Sequence, residues 1–176
     1  MNMTIGLKRG TVKLFPYDRA WKVEFENEKQ QLLKAFGDKI IAIEHIGSTS
    51  IPGAWAKPII DINIAIRSLD DAPDFVVGLE KLGYTNMPNR WFADRYFFPK
   101  GSEDNRTHHL NFVEITSKTA WLYPLLFRDY LIAHPKELEE YVALKKSLAG
   151  RYENERDKYT EAKSDFVKTV LEKASK

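Results

Sequence analysis

Gly47-Ser48-Thr49-Ser50 closes a β-branched apolar run that begins at Ile40, and a second such run, Ile59-Ile60-Asp61-Ile62-Asn63-Ile64, follows shortly after. A glycine lets the backbone approach a phosphate closely, and hydroxyls at the opening of a short helix donate to phosphate oxygens. The same residues also suit a plain strand-ending turn with a hydroxyl cap. Asp61 bears on the choice, because a dry carboxylate in an apolar strand is costly unless a cation or hydrogen-bond donors compensate it. It calls either for a bound ligand or metal ion, or for an internal ion pair with Lys57 or Arg95.

Side chains alternate along a strand, so Asn63 shares a face with Asp61, and His109 and Asn111 share one on a later strand with Val113 beyond. His108, Leu110, Phe112 and Glu114 take the opposite face. Asp61, Asn63, His109 and Asn111 are thus the candidate ligands for magnesium or manganese, although one carboxylate with two carboxamides is a thinner set than the bridging carboxylates of two-metal phosphoryl transfer. His109 could also serve as a base, bind phosphate when protonated, or be a hydrogen-bonded structural histidine. Lys57, ahead of Pro58, could neutralise a polyphosphate or simply be solvated. His45 could orient the Gly47-Ser48 turn, reach a ligand, or make a purely structural hydrogen bond. Arg90, Arg95, Lys100 and Arg106 add positive charge beside the later strands, which would suit a polyanionic small ligand.

The elements that must hold these residues follow from hydrophobic period. Trp21, Phe25, Leu32, Leu33 and Phe36 recur at helical spacing after Asp18, a candidate N-cap, and stop at Gly37. Residues 40–46 and 59–66 read as buried strands, and 71–82 as a helix with Phe75, Val76, Leu79 and Leu82 inward. Residues 91–99 and 108–115 read as antiparallel strands around the polar loop 100–106, and 11–15 as a short strand or extended arm. From Lys118 the period is helical, with helices expected at 118–133, 135–148 and 154–173, and His134-Pro135 as a sharp junction. The expected architecture is α/β: a mixed sheet covered by helices in a single domain, 1–117 forming the α/β core and 118–176 a C-terminal helical bundle.

Bulk properties narrow the partners. The 176 residues suffice for one ordinary domain, with 43% hydrophobic and 30% charged residues. The apolar stretches are too short to span a bilayer, and the N-terminus lacks the long apolar core of a secretory signal. There is no cysteine, hence neither a disulfide framework nor a thiolate zinc site, and a cytoplasmic address is expected. A net charge of +2 is too small for the footprint of a duplex-binding protein. The expected partner is a nucleotide or another anionic small molecule.

Several segments together resemble the GrpB family of bacterial proteins. They are His45-Ile46-Gly47-Ser48-Thr49-Ser50-Ile51-Pro52-Gly53, Ala56-Lys57-Pro58-Ile59-Ile60-Asp61-Ile62, His108-His109-Leu110-Asn111, Leu126-Phe127-Arg128-Asp129-Tyr130-Leu131 and Tyr159-Thr160-Glu161-Ala162-Lys163, with Pro16-Tyr17-Asp18 and Trp21 at the start. The resemblance covers nearly the whole chain and implies a nucleotidyltransferase-like fold. In that superfamily a Gly-Ser turn opens a helix, Asp-x-Asp follows on the next strand, and a third carboxylate stands on a later one. Gly47, Ser48 and Asp61 match; Asn63 stands in place of the second carboxylate, and Asn111 departs from the His-Leu-His often found in GrpB proteins. The implied function is transfer of a nucleoside monophosphate from an NTP to a small acceptor with magnesium. Gly47, Ser48, Thr49, Ser50 and Lys57 would hold phosphates, Asp61 and His109 would be catalytic, and Arg128, Asp129 and Tyr130 would lie toward an acceptor pocket. The alternative is a non-catalytic module that binds a nucleotide or other anion at a degenerate metal site. A third reading is a structural partner using the helical surface around Trp121 and Tyr123.

Overall fold

The computed structural model describes residues 5–176. Helix α1 (Ala20–Phe36) starts where Asp18 predicts: its carboxylate accepts from Ala20 N–H at 2.8 Å and its carbonyl from Trp21 N–H. Trp21, Phe25 and Leu32 point inward, and Gly37 ends the helix with φ +48°. Leu33 is exposed instead, and Glu28, only 3% exposed, completes the inward stripe.

The sheet has the order β1-β2-β4-β3, from β1 (Ala42–Ile46), β2 (Ile60–Ile66), β3 (Tyr96–Gly101) and β4 (Arg106–Glu114). β1 runs antiparallel to β2, β2 parallel to β4, and β3 antiparallel to β4. It is the mixed, helix-covered sheet expected of the sequence. Register aligns His45, Ile62, Leu110 and Phe98 on one face, where α1 and α2 (Val76–Lys81) cover them in the main core. It aligns Ile46, Asp61, His109 and Pro99, and next to them Glu44, Asn63, Asn111 and Phe97, on the other.

Two expected helices differ. Residues 69–75 wind as a 3-10 turn before α2, because Pro73 has no N–H for an α-helical bond. The expected C-terminal helix is broken into α5 (Arg156–Glu161) and α6 (Ser164–Ala174). Near the break Thr160 Oγ1 donates to Arg156 O at 2.9 Å, a back-bond that loosens a helical ladder. Residues 118–122 form a π-turn capped by Ser117, whose hydroxyl accepts from Ala120 N–H, and lead into α3 (Tyr123–Ala133). α4 (Pro135–Arg151) begins at its proline as expected. Residues 11–15 form an extended arm, bridged to the body where Phe15 pairs with Ala56.

A second, smaller core joins α3, α4 and α6 through Leu131, Tyr141 and Val170, and takes in Ile51 and Ala54 from the segment after the Ser48–Ser50 turn. That turn is therefore held between the two cores. Arg128 fastens α3 to β1, donating to Glu44 at 2.7 Å and to the His45 carbonyl at 2.8 Å.

Under the core face, Glu28 accepts from Tyr84 OH at 2.9 Å and from Lys100 Nζ at 2.8 and 2.9 Å. Removing one partner of a buried pair strands the other. Lys100→Met is expected to lower stability in urea unfolding by about 3 kcal/mol, and adding Glu28→Leu together with Tyr84→Phe, so that no partner is stranded, should recover most of the loss.

Candidate functional site

Gly47 links β1 to the Ser48–Ser50 turn with φ +70°, a conformation side-chain-bearing residues rarely adopt. A Cβ there would lie 2.5 Å from Asp61 Oδ2. Glycine is thus required twice, by its own dihedral and by the carboxylate packed against it.

The hydroxyls of the turn have different fates. Ser50 Oγ donates to Gly47 O at 2.6 Å, which closes the turn on itself. Buried Thr49 donates to Ile59 O at 3.3 Å and faces His45 Nε2 at 2.9 Å. With the hydroxyl proton on Ile59 O, His45 Nε2–H is the donor to Thr49, and the imidazole stacks on Phe25 at 4.7 Å. Burial pulls the His45 pKa down to about 4, so the ring is neutral. Ser48 and Thr49 both line the cleft described below, where the Ser48 hydroxyl accepts from Lys145 Nζ at 2.9 Å.

Asp61 and His109 face each other across the β2–β4 pair, with Oδ1 and Nδ1 3.0 Å apart. Burial alone would raise the Asp61 pKa; the His109 hydrogen bond and charge, with Lys57 and His45, outweigh it and hold the carboxyl below its ordinary value. A carboxylate only accepts, so the His109 proton sits on Nδ1. Neither Lys57 nor Arg95 forms an ion pair with Asp61; Arg95 instead meets Asp94 at 3.3 Å.

Asn63 and Asn111 are brought to the same face but make a different connection. Asn63, 1% exposed, donates to Ala120 O at 2.7 Å and accepts from Asn111 Nδ2 at 3.1 Å. The pair docks the π-turn onto the sheet.

Gly47, Ser48, Asp61 and His109 open into a cleft of about 220 Å³ whose other walls include Lys57, Lys145, Arg156 and Lys163, together with Tyr141 and Tyr159. Lys145 on α4 is 1% exposed, and besides Ser48 its ammonium donates to Trp55 O. Burial, reinforced by the charges of Lys163 and Lys57, pulls it down to about 7. Lys57 is drawn down to about 8 by burial and Arg156, and Lys163 to about 8 by burial and Lys57, each partly offset by Asp61. Aromatic faces steady the ammonium groups: Tyr141 lies 4.3 Å from Lys145, and Tyr159 lies 4.3 Å from Lys163 and 5.7 Å from Lys57.

Lys145, Arg156 and Lys163 carry no role in the sequence reading. A signal existed for the first, since Lys145 falls on the inward stripe of α4 with Leu138 and Tyr141, where an apolar residue is the usual occupant. Arg128, expected near an acceptor pocket, is absorbed by Glu44, Asp129 and the His45 carbonyl.

Magnesium or manganese needs several hard oxygen ligands. Asp61 supplies the cleft's lone carboxylate, its Oδ1 accepts from His109, and the Asn63 amide is engaged at both ends. Among the described residues no group of three or more His, Asp or Glu side chains is placed to hold a metal. With four cations in the same walls, this donor set does not fit a resident divalent ion. It fits an anion.

Known proteins accord with this fold. The crystal structure of a conserved protein GrpB from Enterococcus faecalis superimposes with a TM-score of 0.84 at 33% identity, covering 92% of this chain and 96% of that one. A glutamate-rich protein GrpB of Alkalihalophilus pseudofirmus is 36% identical over 171 residues, 95% of this chain and 98% of the relative. UPF0157 protein YqkA of Bacillus subtilis is 41% identical over 165 residues, 94% of this chain, which spans about half (48%) of that relative's length. The family model described as GrpB protein matches residues 11–173, and the chain belongs to the GrpB family.

Proposed function

We propose that the cleft binds a phosphate-bearing small molecule, a nucleotide being the favoured class, and that it does so through cationic side chains rather than a resident metal. The observation that carries this reading is the charge of the walls. Lys57, Lys145, Arg156 and Lys163 surround one carboxylate, and burial with mutual repulsion draws three lysines down to about 7 or 8. A bound polyanion relieves that repulsion. Gly47 and Ser48 offer the close backbone approach and hydroxyl that phosphate recognition uses. The nucleotide preference, and the kinship with nucleotidyltransferases, draw support from Gly47-Ser48 leading by a short connection to Asp61 on β2. Nucleotides are ligands of the cytoplasm, which is where the reading places the protein.

Asp61 and His109 favour a second reading, in which the cleft also performs transfer. With Nδ1–H held by Asp61, His109 Nε2 is the nitrogen that can take a proton from an acceptor hydroxyl. The acceptor oxygen would bond to the α-phosphorus as its bond to the bridging oxygen breaks, releasing pyrophosphate. Magnesium or manganese enters this reading only as the counter-ion that a nucleotide brings with it.

Calorimetry with pyrophosphate and ATP in the presence of EDTA tests the binding. Removing one charged donor is expected to weaken it about 10- to 100-fold in Lys163→Ala, from the usual value of a charge-assisted hydrogen bond. Unchanged affinity would remove the basis of the reading. Pyrophosphate release across small hydroxyl acceptors, lost in His109→Ala while ATP still binds, separates the transferase from the module.

The lysines also set a pH signature. Their folded pKa values lie below the ordinary lysine value, so above about pH 7 the unfolded chain holds more protons than the folded one. Stability of the free protein is expected to rise from about pH 7 toward about pH 10. Saturating pyrophosphate, which keeps the lysines protonated, should flatten this rise, and Lys145→Met should reduce it. Urea unfolding at half-unit intervals reads both effects; a profile that pyrophosphate leaves unaltered contradicts the assignment.

A further inference from the structure

Beyond the lysine-lined cleft lies a second cavity, three of whose arginines the proposed function does not use. It is small, about 30 Å³, and Arg9, Arg90, Arg106 and Arg156 line it. Lys57, Ile59, His109 and Arg156 belong to the walls of both spaces, so the two adjoin at the Asp61–His109 pair.

Arg106 is the telling residue. It lies on β4 and is 8% exposed, and its Nη1 is buried with no hydrogen-bond partner among the described residues. A guanidinium presents five donors in a planar fork, and a buried donor without an acceptor is costly. The carboxylates nearby are engaged elsewhere: Glu103 pairs with Arg9, and Asp104 with Lys8 at 3.2 Å. Arg90 and Arg156 have no carboxylate within ion-pair distance among the described residues, and burial and the charges of Arg9 and Arg156 on Arg106 are offset only in part by Glu103. A planar fork of donors in this setting suits an oxyanion.

We propose that this arginine-lined cavity is a second anion subsite, which takes the carboxylate or phosphate of a small-molecule acceptor whose reacting group meets the nucleotide beside His109. Size limits the occupant to a small head, because so narrow a space excludes a nucleobase. The body of the acceptor has room outside, where a polar space of about 390 Å³ continues along Arg9, Arg90 and Arg156. Bidentate pairing with guanidinium gives such a subsite directional preference, which suits it to orienting an acceptor. The role as acceptor subsite rests on the transfer reading; the binding of an oxyanion does not.

Inorganic phosphate and acetate serve as probes, titrated separately into the full chain while arginine Nε–H resonances are followed by NMR and stoichiometry by calorimetry. Two oxyanions per chain are expected, either two phosphates or one phosphate and one acetate. The Arg90 and Arg106 signals should follow an isotherm that survives Lys163→Ala and weakens at least tenfold in Arg90→Gln, which alters a half-buried loop residue. A response to acetate alone identifies a carboxylate head, and a response to phosphate alone a phosphorylated one. A single phosphate lost in Lys163→Ala, with Arg90 and Arg106 unmoved by either probe, overturns the second subsite and leaves the cleft reading intact. A single phosphate lost only in Arg90→Gln does the reverse, and no binding of either probe overturns both.

Discussion

Like charges crowd the cleft, and the rest of the structure must hold them there. Lys57, Lys145, Arg156 and Lys163 share walls with one carboxylate, and nothing about that arrangement favours folding by itself. The opposing contributions come from packing. Tyr141 and Tyr159, both buried, offer π faces to the lysines, and the second core of Leu131, Tyr141 and Val170 fixes the helices that carry Lys145 and Lys163. The break between α5 and α6 belongs to this account, since Lys163 sits in it and reaches the cleft. Lys145 is tied to Ser48 and Trp55, which fixes that wall of the cleft.

The sheet divides its labour between faces. One face is dry, covered by α1 and α2, and the network of Glu28, Tyr84 and Lys100 lies beneath it. The other carries Asp61 and His109 and is only partly covered by the C-terminal helices. Asn63 and Asn111 use their amides to seat the π-turn on that face, and Arg128 pins α3 to β1 beside it. The Gly47–Ser50 turn lies between the two cores, so its conformation is set from both sides. In each case a polar residue that could be read as a ligand contributes instead to holding the ligand-facing residues in place.

How much of this was legible in the sequence depended on how far apart the partners lie. Strand alternation sufficed to put Asp61 with Asn63 and His109 with Asn111, while their pairing across β2 and β4 came from the register of the fold, and hydrophobic period sufficed for the sheet, for α1 and for α4. The resemblance to GrpB proteins rested on contiguous segments and was confirmed by comparison. Hydroxyl fates were not legible, because Ser48, Thr49 and Ser50 look alike in a string while the fold sends each to a different acceptor or donor. Nor was the cationic wall: Lys145 meets Ser48 across 97 positions, and a lysine in a long helix reads as solvated unless its place on the apolar stripe is counted. Glu28 was hidden in the same way. The break at Lys163 carries only the faint signal of Thr160, which period alone overrides.

If cationic side chains rather than a resident metal make this cleft a phosphate site, as proposed, loss of the Asp61 charge strengthens binding, whereas a metal site would lose it. Asp61→Asn keeps an oxygen to accept from His109 while removing the cleft's lone negative charge. Pyrophosphate affinity of this variant, measured by calorimetry in EDTA and again with excess magnesium, tests the claim most directly. Binding several-fold tighter than that of the unsubstituted protein in EDTA, with little response to magnesium, is the predicted result. Binding that requires magnesium in the unsubstituted protein and disappears in Asp61→Asn would contradict it.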